Sequence, residues 1–207
     1  MAQQYQIEDI PRNLPGDDLD ELLGLLPAQL RAHSQRVGVY SSLMAEYTRS
    51  FLSYDEIPDA ATLATIAHTG GSCHDIGKLL TYPYAKDKDD YLRHPLVGAR
   101  FLEQHADTLF ESKVQARMVV DMVRYHHERP GGDGFFEGLQ ANDTPLLAGI
   151  CNIANALDHY LIQEDESGNI PTRAFEFISR QAGSAFSEQA VLCFAQAWSH
   201  LNEQYGF

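Results

Sequence analysis

His74 and Asp75 stand side by side, followed by Ile76, Gly77 and Lys78. An imidazole and a carboxylate can share a metal ion, and a lysine close behind can meet the anion that such an ion attracts. Neighbouring residues on a helix point about 100° apart. His74 and Asp75 can therefore converge on one ion only at or near a helix end, or where the ion is large enough in reach to be bridged. Gly77 lets the chain turn sharply there and lets another segment approach closely. A His-Asp pair alone is common by chance, so the chemistry depends on further ligands elsewhere in the chain.

Further ligands are present. His33, His94 and the adjacent pair His126-His127 fall near expected helix ends or helix-starting prolines, and Asp158 sits late in the chain. Neutral imidazoles with carboxylates suit Fe, Mn, Zn or Ni, whereas an all-oxygen site would suit Mg or Ca. Ligands from separate helices can converge in a bundle core, hold two ions and activate a bridging water as the nucleophile. Each residue also has a plainer reading. His33 could be a hydrogen-bonded core or surface residue, His94 a helix cap before Pro95, and His126-His127 a polar helix terminus favoured by the macrodipole. His68, His105, His159 and His200 fit no ligand pattern and are read as structural.

The elements that must position these residues are helical. Asp17-Asp18 precede a short leucine-rich helix ending near Leu26, and Pro27 opens a helix expected to run to about Phe51. Pro58 opens a helix of small apolar residues, with a bend expected at Gly70-Gly71. Helices are expected from Pro95 to about His105, Ser112 to Tyr125, Pro145 to about Leu161, Pro171 to Gly183 and Glu188 to Tyr205. Met1 to Gly16, Tyr82 to Asp90, Arg129 to Thr144 and Gln163 to Asn169 read as lead-in, loops and turn. No run alternates Val, Ile and Thr in the manner of a strand. The expected fold is an all-α bundle.

The formal net charge of -14, from 29 acidic and 15 basic side chains, argues against a nucleic-acid or anionic-membrane surface. Cys73, Cys151 and Cys193 are too far apart for a Cys-x-x-Cys site and odd in number, so buried reduced thiols are expected. The start of the chain has no signal-peptide pattern, and no apolar run nears the roughly 20 residues of a membrane span. A cytoplasmic protein is expected.

Several segments occur in a telling order. His33-Ser34-Gln35-Arg36-Val37 comes first, then His74-Asp75-Ile76-Gly77-Lys78, His94-Pro95-Leu96-Val97-Gly98 and His126-His127-Glu128-Arg129. Gly132-Asp133-Gly134-Phe135-Phe136-Glu137-Gly138-Leu139 follows, then Ile153-Ala154-Asn155-Ala156-Leu157-Asp158 and Ala182-Gly183-Ser184-Ala185-Phe186. From roughly Pro27 to Ala195 the chain resembles the HD superfamily of metal-dependent phosphohydrolases, and within it the HD-GYP branch. The resemblance implies a helical bundle of the HD-domain type with a bi- or trinuclear metal centre. It implies that His33, His74, His94, His126 and His127 bind metal, that Asp75 bridges two ions and that Lys78 contacts phosphate. The best-known activity of the branch is hydrolysis of the phosphodiester bond in cyclic di-GMP.

Four positions depart from the family pattern. Gly134-Phe135-Phe136 replaces Gly-Tyr-Pro, losing a hydroxyl and a fixed φ. Asn155 replaces the aspartate that completes the metal site; it keeps a carbonyl oxygen without the charge, and Asp158 is the candidate to substitute in part. Gln29 stands where trinuclear members carry glutamate, which argues for two ions. His159-Tyr160-Leu161 replaces an Arg-Pro-Tyr-Arg-like segment. The expectation is a phosphodiesterase for a cyclic dinucleotide such as cyclic di-GMP. It would use two divalent transition-metal ions, Fe or Mn ahead of Zn or Ni, with Lys78 and Arg129 on phosphate. Two alternatives stay open: a domain that binds a nucleotide or protein partner without turnover, and a phosphohydrolase for another small nucleotide. Residues 1–26 read as an extension, too short for a sensor domain, and residues 27–207 as the HD/HD-GYP-like domain. Regulation would then come from a signalling partner, from a homodimer or from the ligand.

Overall fold

A computed structural model describes residues 18–52, 58–81, 92–135, 137–140, 143–162 and 170–205. The expected features at Met1–Gly16, Tyr82–Asp90 and Gln163–Asn169 lie outside these residues. The described chain is helical: α1 Leu19–Gly24, α2 Ala28–Ala45, α3 Ala60–Cys73, α4 Lys78–Thr81, α5 His94–Gln104, α6 Ala106–Leu109, α7 Lys113–Tyr125, α8 Leu146–Leu161, α9 Ile170–Arg180 and α10 Glu188–Tyr205. Among the described residues, β structure is limited to the isolated bridges Gly131–Gln140 and Ala182–Phe186.

Local chemistry sets the helix starts. The Asp18, Asp59 and Ser112 side chains each accept a backbone N–H three residues ahead, at 2.8, 2.9 and 3.1 Å, which satisfies a donor the helix cannot. Pro27 and Pro145 stand just before α2 and α8, and Pro95 lies in the first turn of α5. Two expectations fail. The helix from Ala28 ends at Ala45, and Arg49–Phe51 is a separate 3₁₀ turn. Gly70-Gly71 makes no bend but sits inside α3, because packing decides these glycines. A Cβ on Gly71 would come within 2.8 Å of Gly38 Cα on α2, and a Cβ on Gly70 would run into the Met122 side chain of α7. Bare glycine surfaces let α2, α3 and α7 pack closely.

α2 packs most extensively on α3 and also on α8, while α7 joins α3, α5 and α8. Met44, Leu63, Ile66, Met122, Ile150 and Leu157 are fully buried on these helices, and Phe194 of α10 is fully buried as well. Removing such a side chain from water is worth about 1.5–3 kcal/mol. Leu22 of α1 also belongs to this core. The helices that carry the candidate ligands are thus its best-packed members.

Candidate metal centre

α3 ends at Cys73, with His74 as its C-cap, so the His-Asp pair leaves the helix as the backbone begins to turn. That exit lets both side chains face one point. Gly77 follows so closely under α5 that a Cβ would overlap the His94 carbonyl oxygen and lie 2.7 Å from Gly98 N. This contact brings His94, the first residue of α5, against Asp75. His126 is the C-cap of α7. His33 lies in the second turn of α2, and Arg36, three residues on, shares its face.

The five histidines and Asp75 gather into two adjoining groups. His33, His74 and Asp75 form one, and His94, His126 and His127 the other, with the potential ligand atoms of each within 4.8 Å of one another. Asp75 faces both groups. Its Oδ2 lies 3.3 Å from His74 Nε2 and 3.9 Å from His33 Nε2, while its Oδ1 lies 3.1 Å from His94 Nε2. Lys78 Nζ donates to Oδ2 at 2.5 Å. His33, His74, Asp75, His94 and His126 are all buried.

Hydrogen bonds at the back of the rings set their tautomers. His74 Nδ1 meets the Gly71 carbonyl at 2.7 Å, and His126 Nδ1 meets the Val123 carbonyl at 2.8 Å. A carbonyl only accepts, so each Nδ1 must carry the proton. His33 Nδ1 points likewise to Asp158 Oδ2 at 2.7 Å. The lone pairs therefore sit on Nε2. In His33, His74 and His126 that atom is buried and makes no hydrogen bond among the described residues.

Charge favours the same arrangement. Burial would raise the Asp75 carboxyl, but His74, His94 and Lys78 outweigh it and hold the group well below the usual carboxylate range. Burial, with the neighbouring imidazoles, pushes His126 well down, and burial pushes His127 down to about 3. Both rings are thus neutral near pH 7 and able to donate lone pairs. Inward-facing Nε2 atoms, the neutral His126 and His127 rings and one ionised carboxylate fit a transition-metal ion.

The remaining candidates stand around this set. Asp158 lies behind His33 rather than within either group. Arg36 Nε donates to its Oδ1 at 2.5 Å and Arg36 Nη2 to its Oδ2 at 3.0 Å, so both oxygens are engaged. Asn155, one turn earlier on α8, keeps its Oδ1 buried with no hydrogen bond among the described residues. Arg129 is exposed, with Nη1 3.7 Å from Asp133 Oδ2. Phe135 is exposed too, its ring 5.9 Å from that of His127.

Three residues given no role above belong to the surroundings. Glu128 is buried and accepts the Glu137 and Leu139 N–H groups, both at 3.0 Å, pinning the loop after His127. Arg36 orients Asp158. His159, read as structural, lies with its ring 4.7 Å from that of His33. The spacing Asn155, Asp158, His159 was the available signal, because it puts all three on one face of α8.

Comparison with known proteins bears on the family and the fold. The HD domain family model matches residues 30–160. A cyclic di-GMP phosphodiesterase of Pseudomonas aeruginosa is 32% identical over 107 residues, 49% of this chain and 25% of that protein. A cyclic di-GMP phosphodiesterase of Thermotoga maritima is 22% identical over 183 residues, 84% of this chain and 46% of that protein. The chain thus spans less than half the length of either relative. Among solved structures, the HDG"Y"P protein Bd1817 of Bdellovibrio bacteriovorus is similar with a TM-score of 0.53 at 18% identity, covering 80% of this chain and 52% of that one. The HD domain of the L. monocytogenes phosphodiesterase PgpH, in complex with cyclic-di-AMP, gives 0.54 at 16% identity, covering 93% of this chain and 99% of that one. These two structures share the fold. With the family match spanning most of the chain and every histidine of the two ligand groups inside it, the chain belongs to the HD domain family.

Proposed function

We propose that the chain is a metal-dependent phosphodiesterase of HD-GYP-like type that opens a cyclic dinucleotide such as cyclic di-GMP. The observation that carries the reading is Asp75, which faces both histidine groups at once. A carboxylate so placed suits two divalent ions, one per group, with Fe or Mn ahead of Zn or Ni. Such ions supply Lewis-acid chemistry and a water activated near neutral pH.

The protein's own groups do the rest. His33, His74, Asp75, His94, His126 and His127 form the ligand set. Asp158 orients His33 from behind, and Asn155 offers a neutral carbonyl oxygen. Lys78, held against Asp75, brings positive charge to where phosphate oxygens arrive. Arg129 is assigned the outer phosphate oxygens, exchanging Asp133 for the ligand. Burial of the imidazoles keeps bulk water from competing with the ligand set. The buried free cysteines suit a reducing compartment, and the reading puts the protein in the cytoplasm. The cyclic di-GMP phosphodiesterase activity for which the two relatives are named supports the choice of substrate.

The test is protein purified without chelator, its metals counted, then supplied with Mn or Fe and with cyclic di-GMP or cyclic di-AMP. The expected result is close to two ions per chain and formation of the linear dinucleotide. Asn155, which lacks the charge of an aspartate, favours a second reading: a domain that binds nucleotide without turnover. Metal-independent binding with no linear product under any of these conditions overturns the first reading in favour of the second.

A further inference from the structure

A cleft of about 900 Å³ opens beside the metal centre, between the α1–α2 turn, α4 and the C-terminal end of α8. His33 and Lys78 line its inner end, so it is continuous with the candidate ligand set. Its volume lies within the usual range for small-ligand sites of about 300–1,000 Å³.

The chemistry changes along its length. The inner end holds the Lys78 ammonium and the Arg36 guanidinium, whose Asp158 partner fixes its plane. Next stands His159, a flat ring stacked at a tilt of 32° near His33. The outer walls are apolar, with Leu25, Leu30, Leu79 and Ile162, and Gln29 adds an amide. Leu25 is 41% exposed and Ile162 57% exposed. Both are large apolar side chains left facing water at the mouth of one cleft, where a ligand would cover them.

We infer that this cleft binds the nucleobase of the substrate, with the phosphate at Lys78 and Arg36 and the base between His159 and the Leu25–Leu30–Ile162 wall. The inference rests on the phosphoester reading above and names the part of the substrate that selects it. Cations at one end call for phosphate. A ring and aliphatic walls beyond them call for a flat aromatic body, whose faces stack and whose edge can pair with the Gln29 amide. A lipid phosphate has no use for the ring or the amide, and a chain carrying a net charge of -14 is a poor partner for an anionic membrane.

The walls also sit in a telling place. The family match covers residues 30–160, yet Leu25, Leu26 and Pro27 precede it and Ile162 follows it. The shared stretch carries the metal ligands together with Leu30, Leu79 and His159, and this chain's own flanks add Leu25, Leu26 and Ile162 to the wall. Arg31 Nη1 donates to the Gly24 carbonyl at 3.1 Å and ties the α1–α2 turn in place. Choice among bases thus lies partly in residues outside the common frame.

The experiment titrates metal-loaded protein with a non-hydrolysable phosphorothioate cyclic dinucleotide by calorimetry. Leu25→Glu and Ile162→Glu change exposed side chains, so the fold should survive, and circular dichroism and metal content check that it does. Leu192→Glu, exposed on α10 and not part of the cleft lining, controls for added charge. The expected result is binding at least tenfold weaker in Leu25→Glu and in Ile162→Glu, with Leu192→Glu unchanged. Folded, metal-replete Leu25→Glu and Ile162→Glu proteins that bind like wild type would overturn the inference. Wild type that binds in this wall-dependent way yet forms no linear product leaves the cleft standing and removes only the catalytic reading.

Discussion

At the scale of single residues, the centre depends on groups that touch no ion. Asp158 fixes the His33 ring through Nδ1, and Arg36 fixes Asp158. Partners of this kind typically govern metal affinity by about 10–100-fold. Asp158→Asn keeps the size but loses the charge that holds both His33 and Arg36, so metal affinity measured by calorimetry should fall within that range while far-UV circular dichroism stays the same. The five histidines were legible because they recur beside prolines and helix ends in a fixed order. The job of Asp158 was not, because spacing alone cannot say whether its oxygens face the ions or the back of His33. The neutral rings make a second prediction. His127 is held at about 3 against an ordinary 6.5, and His126 is lowered too, so the unfolded chain takes up protons that the fold refuses. Stability then falls as pH drops from about 6.5 toward about 3. Lowered Asp75 and Asp158 act in the same direction at the acid end of that window. Thermal melts of metal-free protein should show this decline, and His127→Gln should flatten it; an unchanged slope would remove His127 as a source.

At the scale of elements, close approach does the positioning. α5 meets the turn after Asp75 through Gly77 and Gly98, with Gly77 N only 2.9 Å from where a Gly98 Cβ would stand. Gly77→Ala forces a methyl group against the His94 backbone and drives the start of α5 away from Asp75. Overpacking of this kind costs typically about 1–3 kcal/mol. Because α5 carries His94, metal affinity should drop along with the melting temperature, whereas a peripheral substitution of equal thermal cost should leave metal affinity alone. Comparing the two variants by calorimetry separates the effects. The same logic explains why Gly70-Gly71 misleads as a bend. Glycine's local preference says turn, but Gly38, Ser41 and Met122 crowd the glycine surface of α3 and keep it straight. Local sequence reports propensity, and the neighbour that overrules it lies more than twenty residues away.

For the molecule as a whole, the helical class was readable because apolar residues recur at helical spacing and none alternates. Helix starts were readable from caps and prolines. The cleft beside the centre was not, since Leu25, Leu79 and Ile162 come from three separate elements and become a wall only once α1, α4 and α8 meet. The cysteines allow a global test of that meeting. Cys73, Cys151 and Cys193 are buried, each on a different helix, and none is in a disulfide. Burial pushes the Cys73 and Cys193 thiols up to about 12 and raises Cys151 further. A thiol kept protonated and out of reach does not react, so alkylation at pH 8 must wait for opening of the helix that covers it. If the bundle opens as one unit, all three should label at one rate, and that rate should fall when metal is added, because ligand binding to the fold lowers the open fraction. Mass-spectrometric mapping of the labels reads the rates site by site. If Cys193 labels faster than Cys73 and is insensitive to metal, α10 opens apart from the centre and the single-unit expectation fails. A common, metal-slowed rate would tie the centre formed by α2, α3, α5 and α7 to the stability of the entire bundle.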